Sequence, residues 1–235
     1  MKDLASLITQ ARVATENEDT GSTDFGIQDS EFIQYFNDAQ YKIQSLIVQQ
    51  HPDVFSEEIE ITCDGSEKYD IKTEISNQSK QPILIDNKIL NVEYSSTGNA
   101  DDYYVISETS LKNRAPGSDS SPISFIRSSG KIIPVGKPSS GKLRITYIKR
   151  VKELVASVVT AASQTTTSEL PEITERYLLA YVEWKILKRD SSIDSKEAIQ
   201  ELKDIEADII KSYRHINDDI QLIPSINQSD DWSLN

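Results

Sequence analysis

Apolar positions in this chain follow a helical period at both ends and a period of two in between. Leu4, Leu7, Ile8 and Ala11 are helically spaced over Lys2–Ala14, with Asp3 favourably placed in the first turn. Glu16–Gln28 is polar, carries Gly21 and Gly26, and reads as a loop. Phe32, Phe36, Ala39, Ile43 and Leu46 then fall at i, i+4, i+7, i+11 and i+14, and Ile33 and Ile47 widen the stripe. This predicts a helix capped by Asp29 or Ser30 and stopped by Pro52, with His51 in its last turn.

From Glu57 the period changes. Ile59, Ile61 and Cys63 alternate with polar residues, and Tyr69 and Ile71 continue the alternation beyond a turn at Asp64–Lys68. Further strand-like runs are Ile83–Tyr94, Tyr103–Glu108, Ile123–Arg127, Lys131–Val135 and Leu143–Ile148. Ser95–Asp102, Asn113–Ser121 and the Thr/Ser-rich end of Val151–Glu169 read as loops. Pro171 opens a third helix with Ile173, Tyr177, Tyr181 and Trp184 in one stripe and Leu178, Val182 and Leu187 beside it. After a turn at Asp190–Asp194, the fourth helix carries Ala198, Leu202, Ile205, Ile209, Tyr213 and Ile216.

Four apolar stripes need one another. The expected fold is α+β: a four-helix bundle built from both ends of the chain, residues 1–56 and 165–217, around an inserted antiparallel β domain, 57–164. The short connections point to a meander. An extended C-terminal arm, 218–235, completes the chain.

At 235 residues the chain can bury a core without staples, and a single cysteine, Cys63, allows no internal disulfide. Cys63 reads as a small core residue. Two histidines, His51 and His215, with one cysteine do not make a His/Cys zinc site, so no metal and no cofactor is expected. The first residues lack the apolar run of a signal peptide or membrane span, which predicts a protein made in a cytoplasm without membrane contact. A net charge of −13 repels a phosphate backbone, although it suits a passage through which DNA slides without sticking.

Candidate chemistry is thin. Gly136–Lys142, GKPSSGK, matches a phosphate-binding loop, but Leu143 replaces the magnesium-holding Ser or Thr, and a strand pattern follows where a helix should. Ser-Ser-Gly-Lys recurs at Ser128–Lys131, and both segments read as hairpin turns. No histidine lies near a serine-rich elbow, so a catalytic triad is not expected. Asp101/Asp102, Asp218/Asp219 and Asp230/Asp231 read as solvated acidic loops, with an incidental calcium site as the alternative. No enzymatic activity is predicted.

Three features suggest partners instead. Lys142, Arg144, Lys149, Arg150 and Lys152 form the one basic concentration, either a solvated strand edge or a contact with an acidic neighbour or passing DNA. The breadth of the third helix's apolar surface implies contacts on more than one side, so Tyr177 and Tyr181 are expected, with Lys149, Arg150 and Lys152, at an inter-subunit contact. In the tail, Ile220, Leu222, Ile223, Pro224, Ile226 and Trp232 are apolar without the length of a core element. They either pack back on their own domain or add to another subunit.

The order of these patterns resembles the head-to-tail connector adaptors of tailed bacteriophages, nearest to the adaptor, or tail tubular protein A, of short-tailed phages. The residues that carry the likeness are GIQDSEFIQYFNDAQYKIQSL, with its acidic-Ala-Gln pattern; Gly130–Ile133, Pro134, Gly141 and Leu143–Tyr147; and Leu170–Leu187 following a Leu-Pro. The resemblance implies a structural virion protein of the neck, in a homo-oligomeric ring usually of twelve copies. Its implied partners are the portal protein and a tail tube or nozzle protein, and DNA passes through without specific binding. The long loops depart from the family pattern. Two alternatives remain open: another neck or collar ring protein that does not touch the portal, and a carbohydrate-binding module. Against the latter, only Trp184 and Trp232 could stack on sugars.

Overall fold

The structure is a computed structural model that describes residues 2–15, 27–84, 89–110, 122, 124–156, 159, 161, 163–190 and 194–221, with residues 214–221 described as helical backbone only. Among these residues it is a mixed α+β fold with five α-helices, α1 (Leu4–Ala14), α2 (Asp29–Gln50), α3 (Ile71–Asn77), α4 (Glu175–Arg189) and α5 (Ser195–Gln221). The described strands between α2 and α4 are β1 (Ser56–Thr62), β2 (Tyr69–Asp70), β3 (Ile89–Ser95), β4 (Tyr104–Val105), β5 (Ser107–Glu108), β6 (Ser124–Ser128), β7 (Lys131–Val135), β8 (Lys142–Ile148), β9 (Glu153–Leu154) and β10 (Gln164–Thr165).

The helices begin and stop for local reasons. Asp3 caps α1 by accepting from the Ser6 N–H at 2.9 Å. Gln28, not Asp29 or Ser30, occupies the cap position of α2 and makes no side-chain cap bond. Asp29 is drawn instead into an ion pair with Arg12 at 2.6 Å, which ties α2 to α1. Pro52 ends α2 and opens a single 3₁₀ turn, Pro52–Phe55, that leads directly into β1. Pro171 precedes another 3₁₀ turn, Glu172–Thr174, ahead of α4.

Leu4, Leu7, Phe32, Phe36, Ile43, Tyr177, Leu178, Val182, Leu202 and Ile209, drawn from four helices, lie buried in one apolar cluster. Ile148, Val151 and Leu154 enter the same cluster from the sheet side. A second cluster gathers Ile59, Ile61, Val92, Tyr94, Phe125, Ile132, Leu143, Ile145 and Tyr147, together with Ile71 and Ile75 of α3.

The sheets are not a meander. One runs β1-β8-β3-β4 and the other β2-β7-β6-β5. β8 pairs antiparallel with β1 on one side and β3 on the other, because Leu143, Ile145 and Tyr147 are wholly buried and the centre of the sheet is where that burial is available. Two short pairs, β5 with β6 and β9 with β10, are parallel. The expected run Tyr103–Glu108 splits between the sheets: Tyr104–Val105 pairs with β3 and Ser107–Glu108 with β6, while Ile106 turns into the core between them. Of the expected run Ile83–Tyr94, Ile83 forms an isolated bridge with Lys149, Ile89–Tyr94 belong to β3, and residues 85–88 lie outside the described residues. The strand expected through Ile71 is a helix, because Asp70 caps it by accepting from the Thr73 N–H at 3.2 Å and Ile71 and Ile75 share one face.

The two Ser-Ser-Gly-Lys segments behave differently. Ser129 and Gly130, with φ of 50° and 78°, form a two-residue turn between the antiparallel partners β6 and β7, as expected. Gly136–Gly141 is not a hairpin: it carries the chain from β7 in one sheet to β8 in the other. The expected loops Glu16–Gln28 and Asn113–Ser121 lie almost wholly outside the described residues, as does the middle of the Asp190–Asp194 turn.

Candidate functional site

The helical and sheet clusters meet along one side of α2. Asn37, Gln40 and Gln44 project from it at i, i+3 and i+7, beside the apolar stripe rather than opposite it. Gln40 and Gln44 have no exposed surface. Each amide is held by extended backbone after β8. Asn37 Nδ2 donates to the Leu154 carbonyl at 3.1 Å, and its Oδ1 accepts from the Leu154 N–H at 2.8 Å. Gln40 Nε2 donates to the Lys152 carbonyl at 2.7 Å. Gln44 Nε2 donates to the Lys149 carbonyl at 2.8 Å, and its Oε1 accepts from the Val151 N–H at 3.2 Å. A side-chain amide carries the same donor and acceptor as a peptide group, so three of them present a strand-like edge to residues 149–154. The other side of that segment is met by Phe55, Pro82, Ser163 and Glu169. This seam does mechanical work: it fixes the sheets against the helices with buried amides that each hydrogen-bond to the facing backbone. Its sequence signal is amides at helical spacing on the buried flank, masked by reading only apolar positions.

The basic concentration is largely neutralised from within. Lys142 pairs with Glu60 at 3.0 Å. Arg144 reaches Glu60, Glu93 and Glu58 at 3.3, 3.7 and 3.9 Å and stacks 3.7 Å over the Tyr103 ring. The hydrogen bond from Lys142, outweighing the effect of burial, holds the Glu60 carboxyl below its ordinary value. Lys152 pairs with Glu169 at 2.9 Å, and the Arg150 guanidinium lies 3.8 Å over Tyr41. Lys149, Arg150 and Lys152 thus belong to the seam through their backbone, with Lys149 half-buried.

Tyr177 and Tyr181 are both buried within the monomer. The Tyr177 hydroxyl donates to Glu206 at 3.0 Å, and burial, then Glu206, push that phenol far above its ordinary value. Lys42 pairs with the same Glu206 at 2.7 Å and stands 5.7 Å from the Tyr181 ring. The layer outside these tyrosines is Trp184, edge-on to Tyr181 at 5.5 Å, with Lys185 over Tyr35, Tyr181 and Trp184 at 5.3–6.0 Å and Lys188 over Trp184 at 5.1 Å. Trp184 is therefore only half-buried.

The phosphate-loop look-alike is occupied by its own fold. The carbonyls of Pro138, Ser140 and Gly141 accept from the Gly65 N–H, the Tyr94 hydroxyl and the Cys63 N–H. A strand follows it, so no helix N-terminus faces the loop. Of the tail, Asp218–Gln221 continue α5, so Ile220 sits on its last turn. Leu222, Ile223, Pro224, Ile226 and Trp232 lie outside the described residues. Among the described residues no group of three or more His, Cys, Asp or Glu is placed to hold a metal ion, and no helix is long and apolar enough to cross a membrane. Burial pushes the Cys63 thiol up to about 11, so it is not a reactive thiolate.

No curated protein matches the chain. A protein-family model described as SU10 adaptor protein does, over residues 2–215, which takes in α1 to α4, every strand and most of α5. With that span matched from the first helix to the last, the chain belongs to the SU10 adaptor protein family, and its role is that of a bacteriophage adaptor in the virion.

Proposed function

We propose that this adaptor forms a closed ring, of twelve copies, between the portal of the phage head and the tail, and that it lines the DNA passage. The observation that carries the reading is the family match over residues 2–215. The four long helices act as a bundle whose flanks pack copy against copy. The sheets face the tail tube or nozzle. Ile220, on the last turn of α5, and the apolar tail residues beyond it, Leu222, Ile223, Pro224, Ile226 and Trp232, reach the portal or a neighbouring copy, the residues beyond the helix as an arm. Each contact is weak, but ring closure presents every further contact at high effective concentration. A net charge of −13 lets DNA slide past rather than adhere. Assembly takes place in the host cytoplasm.

The test is electron microscopy of the full chain mixed with portal-bearing capsids. A ring on the portal vertex is the expected image. Monomers alone, with every neck component present, overturn the proposal.

A further inference from the structure

Resting on the ring proposed above, we propose which two surfaces close it: the cation–aromatic face of α4 on one copy docks on the acidic stripe of α5 on the next. The first surface is Tyr35, Trp184, Lys185 and Lys188. Lys185 lies over three aromatic rings and Lys188 over one, yet neither has a carboxylate partner among the described residues. The other cations of α1, α2 and α4 do have one: Arg12 with Asp29, Lys42 with Glu206, Arg176 with Glu201 and Arg189 with Glu31. In a chain with 38 acidic residues against 25 basic ones, unpaired lysines held on aromatic faces form a surface whose counter-charge lies outside the monomer.

The second surface carries that counter-charge. Glu197, Glu201, Asp204 and Asp208 follow one another at i, i+4, i+7 and i+11, all exposed. Among the described residues only Glu201 of the four has a basic partner, and the stripe borders a groove floored by Ile205 beside Arg176. Negative charge is in excess on this flank: burial, then Glu201, push the Glu183 carboxyl up. The two surfaces lie on different flanks of the α4–α5 pair. Lys42 and Glu206 lie on the α2 side with the aromatics, whereas the stripe meets α4 at Arg176 and Glu183. One molecule therefore cannot satisfy its own pair. A patch on one flank that complements a stripe on the other gives a head-to-tail contact, and such a contact closes into a ring when the rotation permits. The occupant is a second copy of this chain rather than DNA, because the acidic half of the contact repels phosphate.

Charge reversal tests it on the full chain. The patch variant is Lys185→Glu/Lys188→Glu and the stripe variant is Asp204→Lys/Asp208→Lys, both surface changes whose fold is checked by circular dichroism. On portal-bearing capsids each variant alone should be retained roughly tenfold less than wild type, since like charges now meet. Mixed in equal amounts they should assemble again, because each reversed surface then faces its complement. If the patch variant fails and the stripe variant assembles normally, the patch meets something other than the stripe and the inference is wrong. If both assemble like wild type while the ring forms, the contact lies elsewhere although the ring stands. If wild type itself stays monomeric, the ring and this contact fall together.

Discussion

Gln44 offers the cleanest measurement of the seam, because a near-duplicate of its bonding exists in water. Gln44→Ala removes a donor to the Lys149 carbonyl and an acceptor for the Val151 N–H, both from a side chain with no exposure. An orphaned buried backbone group costs about 1–3 kcal/mol. The lost apolar stem adds about 0.8 kcal/mol per methylene. The Lys149 carbonyl is only partly buried, so the total is about 3–4 kcal/mol. Gln78 makes the same pair of bonds to one strand residue, donating to the Glu60 carbonyl at 2.7 Å and accepting from its N–H at 3.4 Å, but at the exposed edge of β1. Water replaces those bonds in Gln78→Ala, which should cost under about 1 kcal/mol. Urea unfolding separates the two, and at about 2–4 °C per kcal/mol for a chain of this size Gln44→Ala should melt roughly 6–16 °C lower. Gln44→Glu adds a pH signature. Burial raises the new carboxyl above its unfolded value near 4.3. A raised folded value means stability that is present below the unfolded one and lost as pH rises through the folded one. The variant's deficit should therefore shrink on acidification from pH 7 towards pH 5. Equal losses for Gln44→Ala and Gln78→Ala would refute the claim that the seam is a buried, obligatory polar contact.

Gly141→Ala should lose roughly 3 kcal/mol or more in thermal unfolding, since its φ of +83° is strained for alanine and the new methyl meets the Ser95 carbonyl. Gly130→Ala, also at positive φ but with open space around it, should lose only about 1 kcal/mol. The single Tyr147 O–H proton is shared between the Gln81 carbonyl at 2.7 Å and Glu57 at 2.9 Å, and burial, then Glu57, raise its phenol as burial and Glu206 raise that of Tyr177. These raised values give stability that is present below about pH 10 and lost as pH climbs beyond it. Ultraviolet titration should show these phenols ionising only with unfolding, and a free titration of all ten tyrosines in folded protein would contradict this. Lys142→Ala removes one exposed ion pair and should change stability by less than about 1 kcal/mol. Calorimetry that detects ATP binding abolished by this change would restore the phosphate-loop reading. Removing residues 222–235 should leave the melting transition intact and lower co-sedimentation with portal-bearing capsids, and unfolding of the truncated chain would place the tail in its own core.

Local pattern revealed what local physics decides. The α2 stripe from Phe32 to Ile47 was legible because burial and helical period coincide there. The Ser129-Gly130 turn was legible because few residue pairs accept two positive φ values. Helix α3 was hidden because Tyr69 and Ile71 alternate, and a period of two over so short a run also fits the first turn of a capped helix. Strand order was not legible either. β1 and β8 pair Ile59 with Ile145 and Ile61 with Leu143 across most of the intervening sheet sequence, and nothing near either strand names its partner. The seam escaped because a polar residue on an amphipathic helix reads as solvent-facing until its backbone partner is known. The burial of Tyr177 and Tyr181 turned on where α5 lies, which the breadth of an apolar stripe does not encode.

The first two helices also set a schedule. Their apolar faces are covered by Tyr177, Leu178, Val182, Leu202 and Ile209, all of which leave the ribosome long after α2 does. The stretch from His51 to Leu170 comes between, and at about 5–20 residues per second it takes on the order of ten seconds to make. The sheet cluster, complete by Tyr147, can form within that interval, whereas Phe32, Phe36 and Ile43 wait uncovered. The nascent chain is therefore most prone to mispairing late in its synthesis, on the same helices that become its permanent core.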